Sequence, residues 1–136
     1  MVQYTTKVNA SLEKVWQYLI YKIDHPEHFV PGVSEVMIME KTAEFVSRQM
    51  TVTTPETVTI LKEKITFVPY KVRFLLVDHP KLEGYVDNDI EKISDTETQM
   101  TFTIDWVDKT TQEPINNFEM VQNAVLKTKT FIESKV

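Results

Sequence analysis

The spacing of apolar residues changes twice along the chain. From Ser11 to Ile23 they recur every three or four positions, which predicts an amphipathic helix with Ser11 as its N-cap. From Val33 to Asp108 the spacing becomes two, which indicates a series of β-strands. From Glu113 to Ser134 the helical spacing returns, and the apolar residues cover an arc roughly 160° wide. The sequence therefore predicts a sheet flanked in the chain by two helices.

The polar face of the first predicted helix is expected to carry four residues. They are Glu13, Lys14, Gln17 and Lys22. The following segment, from Asp24 to Gly32, contains Pro26 and Pro31 and has room only for a short second helix that carries Phe29.

The region of period two divides into six predicted strands. Their bounds are Val33–Lys41, Glu44–Thr53, Thr57–Phe67, Tyr70–Asp78, Leu82–Ile93 and Glu97–Asp108. With a first strand over Val2–Asn9 the total is seven, and the short links between consecutive strands require antiparallel hairpins. In the strand Val33–Lys41, a register with Val36 and Ile38 inward competes with one that turns Met37 and Met39 inward, and both stay open.

This order of elements predicts an α+β helix-grip fold. A bent seven-stranded antiparallel sheet would wrap around the long C-terminal helix, with two shorter helices between strands 1 and 2. The chain has 136 residues and no linker or internal repeat, so we expect one domain over residues 1–136.

Composition excludes several classes of function. The chain has no cysteine, which removes disulfides and thiolate metal sites, and its net charge of −5 without a basic block argues against nucleic acid as a partner. No apolar run reaches the roughly 20 residues of a membrane helix, and residues 1–7 lack the apolar core of a signal peptide, so we expect a cytoplasmic protein that does not enter membranes. His25 and His28 have no identifiable third ligand beside them, so neither a metal nor another cofactor is expected.

Cross-strand arithmetic identifies the polar residues on the inner face of the sheet. If the third and fourth strands turn near Pro55, Arg48 lies opposite Glu63. The same arithmetic pairs Glu63 with Phe74, Val72 with Asn88, and Asn88 with Phe102. Arg48, Glu63 and Asn88 are then the polar residues on an otherwise apolar face.

Arg48 and Glu63 allow two interpretations. In the first, they form a structural ion pair that fixes the register of the two strands. In the second, Arg48 binds a carboxylate, carbonyl or phenolate of a ligand while Glu63 orients the guanidinium or transfers a proton.

Two adjoining stretches resemble a known superfamily. The helix segment Leu12-Glu-Lys-Val-Trp-Gln-Tyr-Leu and the turn His25-Pro-Glu-His-Phe-Val-Pro-Gly are similar to the opening of the START/Bet v 1-like (SRPBCC) superfamily, and to its AtaL-like branch in particular. This resemblance implies a cavity between the sheet and the C-terminal helix that takes an apolar small molecule. We expect several hundred Å³, which is the usual range for such sites, about 300 to 1,000 Å³.

The predicted ligand-binding residues come from the inner face of the sheet and the inward arc of the last helix. They are Arg48, Met50, Glu63, Ile65, Phe74, Val86, Asn88, Phe102, Ile104, Trp106, Asn117, Val121, Ala124 and Thr128. The favoured function is non-enzymatic binding of a hydrophobic or amphipathic small molecule by a monomer or homodimer. A cyclase or dehydratase that uses Arg48 and Glu63 is the first alternative. A protein-interaction or chaperone-regulator module, supported by Tyr18 and Tyr21 on the first helix, is the second.

Overall fold

The computed structural model describes all residues from 1 to 136. Its elements follow the predicted order. They are β1 (Val2–Val8), α1 (Leu12–Asp24), a 3₁₀ turn (Pro26–His28), β2 (Val33–Lys41), β3 (Phe45–Thr53), β4 (Val58–Val68), β5 (Lys71–Val77), β6 (Leu82–Ser94), β7 (Glu97–Asp108) and α2 (Phe118–Glu133).

The seven strands form one antiparallel sheet in the order β1-β7-β6-β5-β4-β3-β2. Consecutive strands from β2 to β7 are neighbours, and β1 closes the other edge against β7. The helix α2 packs on the inner face of this sheet, where Val121, Val125 and Ile132 are buried. The α+β class, the seven antiparallel strands and the helix-grip arrangement are confirmed.

The prediction of two shorter helices between β1 and β2 was wrong. Only α1 is an α-helix, and the second segment is a single 3₁₀ turn of three residues. His25, with φ −132° and ψ 57°, interrupts the helical backbone, and Pro26 follows it directly. Since Pro31 and Gly32 come soon afterwards, no room is left for a longer helix.

Helix α1 begins as predicted but buries a residue that was expected to face water. The hydroxyl of Ser11 accepts a hydrogen bond from the backbone N–H of Lys14, so Ser11 is the N-cap. Lys22 is buried together with Val15 and Leu19. Seven residues at about 100° each bring Lys22 to within about 20° of Val15 around the helix axis. The spacing therefore placed Lys22 on the buried face, and its charge misled the prediction.

The strand register agrees with the arithmetic at three of four predicted pairs. Arg48 lies opposite Glu63, Val72 opposite Asn88, and Asn88 opposite Phe102. The fourth was wrong because Glu63 faces Leu76 while Phe74 faces Ile65. The β4–β5 pairing is thus displaced by two residues, which leaves every side chain on its predicted face.

Neither of the two registers considered for β2 holds along the whole strand. Its pairing with β3 shifts between Ser34 and Met37 and again between Ile38 and Glu40. Such irregularities are common on edge strands, where they discourage pairing with another chain. As a result Met37, Ile38 and Met39 are all exposed.

Helix α2 begins five residues later than predicted, at Phe118. The backbone N–H of Ile115 donates to the carbonyl of Trp106, and Pro114 bridges to Val107, so this segment continues along β7 in an extended form. Asn117 then caps the helix by accepting from the N–H of Met120. The first helical residue, Phe118, has a half-exposed side chain that meets the ring of Tyr4 edge-on.

Two apolar clusters lie beneath the sheet. The larger contains buried residues of α1, α2 and most strands, among them Leu19, Ile65, Phe102 and Val125. The smaller consists of Met50, Leu61 and Leu76, one residue from each of the neighbouring strands β3, β4 and β5. Residues from both clusters line the cavity described next.

Candidate functional site

A cavity of about 110 Å³ lies between the inner face of the sheet, α1 and α2. Twelve of its fifteen lining residues are hydrophobic, and the other three are charged. The lining residues are Lys22, Val30, Arg48, Met50, Val52, Leu61, Glu63, Phe74, Val86, Phe102, Ile104, Trp106, Met120, Val121 and Ala124.

The expectation of several hundred Å³ was wrong. Large side chains, above all Phe74, Phe102 and Trp106, occupy much of the space, and Lys22 enters it from α1. For comparison, an engineered apolar cavity of about 150 Å³ admits benzene. At about 110 Å³ the space is smaller than this, so it is suited to at most one small ring or a short branched chain.

Arg48 and Glu63 form an ion pair at the buried side of the cavity. Nη2 of Arg48 lies 2.5 Å from Oε1 of Glu63, and the two side chains are only 2% and 5% exposed. Nη1 of Arg48 donates to the backbone carbonyl of Ile23 at 2.9 Å, which ties the C-terminal turn of α1 to the sheet. The pairing of adjacent strands thus places one guanidinium between a carboxylate and the end of a helix.

Lys22 is the second cation of the cavity. Its Nζ donates to Oδ1 of Asn88 at 2.7 Å and lies over the rings of Phe102 and Phe74, at 4.2 and 5.1 Å from their centroids. The side chain of Arg48 lies over the same Phe74 ring, at 5.3 Å. Both cations therefore share one aromatic neighbour.

Burial lowers the pKa of Lys22 to about 7. The main cause is the loss of water around the ammonium, the positive charge of Arg48 adds to it, and the carboxylate of Glu63 acts in the opposite direction. At neutral pH a substantial part of the population therefore has a neutral amine at this position.

Three polar groups in the wall of the cavity or directly behind it have no hydrogen-bond partner within the protein. They are Nε of Arg48, Nδ2 of Asn88 and Nε1 of Trp106. Each is an N–H donor, and leaving such a group unpaired costs about 1 to 3 kcal/mol. The site can therefore offer hydrogen bonds to an acceptor, and with Lys22 and Glu63 it can also exchange protons.

Ten of the fourteen predicted ligand-binding residues line the cavity. The other four lie elsewhere: Ile65 is in the core, Asn88 is buried behind the lining and bonded to Lys22, Thr128 donates to the carbonyl of Ala124, and Asn117 is the exposed cap of α2. A role for the ten in binding stays a prediction.

Five lining residues are absent from the predicted set: Lys22, Val30, Val52, Leu61 and Met120. Lys22 could have been found from its spacing to Val15 and Leu19, which is that of a buried helix face. Val30 follows the 3₁₀ turn, and its position depends on how the chain returns to the sheet, where the N–H of Thr53 donates to the carbonyl of Gly32.

The acidic residues and histidines do not form a metal site, because no group of three or more lies close enough together to hold an ion. Neither helix has the length and apolarity needed to cross a membrane.

The sequence matches a family model over residues 2–132, nearly its whole length. That family is AtaL, described as acetylaranotin biosynthesis cluster protein L. The chain belongs to the AtaL family. The resemblance to the SRPBCC superfamily and its AtaL-like branch is thereby confirmed. No curated protein sequence matches the chain significantly.

Solved structures share the fold at low sequence identity. The Zhui aromatase/cyclase from Streptomyces sp. R1128 superposes with a TM-score of 0.77 at 15% identity, over 98% of this chain and 90% of that one. A START superfamily protein from Mycobacterium smegmatis superposes with a TM-score of 0.72 at 12% identity, over 98% of this chain and 94% of that one. Ara h 8.0201 superposes with a TM-score of 0.69 at 12% identity, over 97% of this chain and 96% of that one. At such identities the likeness concerns the fold alone.

Proposed function

We propose that this AtaL-family protein binds a small hydrophobic or amphipathic molecule between the sheet and α2. The observation that carries the proposal is an apolar cavity whose wall includes Arg48 and Trp106, each with an N–H that has no partner in the protein. A ligand with an acceptor group would relieve these unpaired donors while its apolar part fills the remaining space.

The charges of the cavity define the polar end of the ligand. Lys22, Arg48 and Glu63 are the only charged lining residues, so the site is positive when Lys22 is protonated and neutral when it is not. A carbonyl, carboxylate or phenolate oxygen suits such an end better than an ammonium group does.

The volume of the cavity limits what can be enclosed. At about 110 Å³ it encloses at most one small ring, so a larger ligand must extend towards solvent. Six lining residues are partly exposed, and we infer that the remainder of the ligand would reach solvent beside some of them: Val30, Val52, Val86, Trp106, Met120 and Ala124. We therefore infer a ligand with one buried ring or branched chain and a remainder that tolerates water.

Titration with toluene and with benzoate tests the binding proposal by methyl NMR. We expect saturable shifts at Val86, Ile104 and Val121, which line the cavity, and none at the exposed Val58. For seven heavy atoms in an apolar site, a Kd on the order of 1 mM or tighter is reasonable for toluene.

Ala124→Trp should abolish these shifts because the indole fills the cavity. Leu126→Trp is the matched control, since it adds the same group to an exposed position of the same helix. Absence of shifts up to the solubility of both probes, or equal shifts in Ala124→Trp, would contradict the proposal.

A cyclase or dehydratase is the second candidate function, and the specific observation that favours it is Lys22. An amine with a pKa of about 7 and the carboxylate of Glu63 share one cavity, which is the pairing that acid–base catalysis needs. The Zhui protein of the same fold is itself an aromatase/cyclase. If this function holds, 4-hydroxypentan-2-one should lose water to form the enone faster with the wild type than with Glu63→Gln. Equal rates would exclude it for this substrate type.

The protein-interaction alternative gains no support from Tyr18 and Tyr21, because both rings pack against Phe131 of α2. The cytoplasmic location, the organisation of residues 1–136 as one domain and the oligomeric state stay predictions.

A further inference from the structure

Lys22 differs from every other lysine of the chain in being buried. Its amine lines the cavity and makes one hydrogen bond, to Oδ1 of Asn88. It takes part in no ion pair within 4 Å, although Glu63 lines the same cavity. A structural ammonium normally has several acceptors around it, and this one has a single acceptor and two aromatic faces.

The surroundings favour the neutral, nucleophilic form of this amine. Water is largely excluded, and the guanidinium of Arg48 lies over the same Phe74 ring as the amine. Desolvation and a neighbouring cation are the two conditions that activate lysine as a nucleophile in proteins. The pKa of Lys22, lowered to about 7, agrees with this geometry.

We propose that Lys22 forms an imine with a small aldehyde or ketone bound in the cavity. This inference rests on the proposed ligand-binding function and deepens it, because it names the reactive group of the ligand. The apolar walls select a carbonyl compound with one ring or a short branched chain, in agreement with the volume of about 110 Å³.

The reaction balances without any further reagent. The lone pair of Nζ attacks the carbonyl carbon, the C–N bond forms, and the carbonyl oxygen receives the proton that the nitrogen releases. The C–O bond then breaks, the C=N bond forms, and one water leaves with the second proton of the amine. Amine and carbonyl compound thus give imine and water, with no oxidation or reduction.

Neighbouring residues have definite tasks in these steps. Oδ1 of Asn88 accepts an N–H of the amine and so directs the lone pair away from itself. The unpaired Nε–H of Arg48 is a donor available to the oxygen as it takes up negative charge. Glu63 lies beside Arg48 and can take up and return a proton while water departs.

Reductive trapping with benzaldehyde and sodium cyanoborohydride tests this inference. Peptide analysis should show an adduct on the peptide that contains Lys22. At pH 7.5 its labelling should exceed that of Lys14, which lies on the same helix, by about tenfold or more, since an ordinary lysine with a pKa near 10.4 is almost entirely protonated there.

Two variants make the result specific. Lys22→Met should remove the adduct, whereas Lys14→Met should leave it unchanged. If Lys22→Met fails to fold, Ala124→Trp gives the same answer, because it retains the amine and fills the space for the aldehyde. The adduct should also disappear when toluene saturates the cavity.

The outcomes separate this inference from the proposed function. Toluene binding without preferential labelling of Lys22 overturns the imine and leaves the binding function intact. Labelling spread evenly over exposed lysines, or unchanged in Lys22→Met, overturns it as well. An adduct at Lys22 that toluene blocks supports both.

Discussion

The two arginines of the chain each pair with a carboxylate across neighbouring strands, one on each face of the sheet. On the outer face, Nε and Nη2 of Arg73 both donate to the carboxylate of Asp87 at 2.8 Å, and the guanidinium stacks on Tyr85 at 3.8 Å. On the inner face, Arg48 makes one contact with Glu63 and turns its other end to backbone carbonyls of α1, and its Nε is unpaired.

The difference concerns how completely each pair satisfies its own hydrogen bonds. The outer pair is bidentate and stacked, so it has little left to offer another molecule. The inner pair is buried and incomplete, and it lies beside an apolar space and a second cation, Lys22. Unsatisfied buried groups reduce stability, so their presence beside a cavity indicates a function more strongly than the ion pair itself does.

Removal of Arg48 should have the largest effect on stability. Arg48→Met leaves Glu63 buried without its partner, and we expect the free energy of unfolding to fall by about 3 kcal/mol, near the low end for a broken buried pair because Lys22 remains. The double variant Arg48→Met/Glu63→Gln should recover much of this loss. Urea denaturation of the wild type, both single variants and the double variant gives the double-mutant cycle for Arg48 and Glu63.

Additive losses in that cycle would exclude a coupled pair. If the double variant is stable, its affinity for benzoate decides between the two interpretations of the sequence. Retained affinity would make the pair structural, and lost affinity with intact toluene binding would make it the polar end of the site.

Removal of Lys22 should have an intermediate effect of the opposite sign. Lys22→Met removes a buried cation and loses only one hydrogen bond, the one to Asn88. We therefore expect the free energy of unfolding to rise by about 1 to 3 kcal/mol at pH 6. Since the folded pKa of about 7 lies below that of an unfolded lysine, the unfolded chain holds more protons between these values. The stability of the wild type should therefore rise as pH increases from about 7 towards 10.

Thermal or urea unfolding from pH 6 to pH 9.5 measures this effect. The wild type and Lys22→Met should differ most at low pH and converge as pH rises, while Lys14→Met should follow the wild type throughout. Parallel curves for the wild type and Lys22→Met would show that the ammonium is not destabilised in the fold.

The outer pair should give the smallest effect. Arg73→Met removes a side chain that is 41% exposed and leaves the 8% exposed carboxylate of Asp87 with Lys71 at 3.6 Å, so we expect the free energy of unfolding to fall by about 1 kcal/mol. The loss should shrink in 0.5 M salt, because Arg73 is partly exposed and salt screens its charge. A loss equal to that of Arg48→Met would remove the distinction between the two pairs.

Local pattern predicted most of the fold. Period-two alternation and short turns identified the six strands from β2 to β7 and their meander, and the turn at Pro55 placed Arg48 opposite Glu63. The extent of α2 was less predictable, since Glu113 to Asn117 has a helical pattern but its backbone is used by β7 and by the cap at Asn117. In this segment, hydrogen bonds to residues distant in the chain override the local helix propensity.

The sequence by itself determined which face of the strands from β3 to β7 is apolar, and therefore where Arg48 and Glu63 would meet, because side-chain direction in a regular strand depends on parity. Only the tertiary structure decided what surrounds them. The size of the cavity depends on how Phe74, Phe102 and Trp106 fill the space beneath α2, and the pKa of Lys22 depends on the burial of its amine and on its proximity to Arg48. Both depend on distances between residues that are far apart in the chain, and a local sequence pattern does not contain these distances.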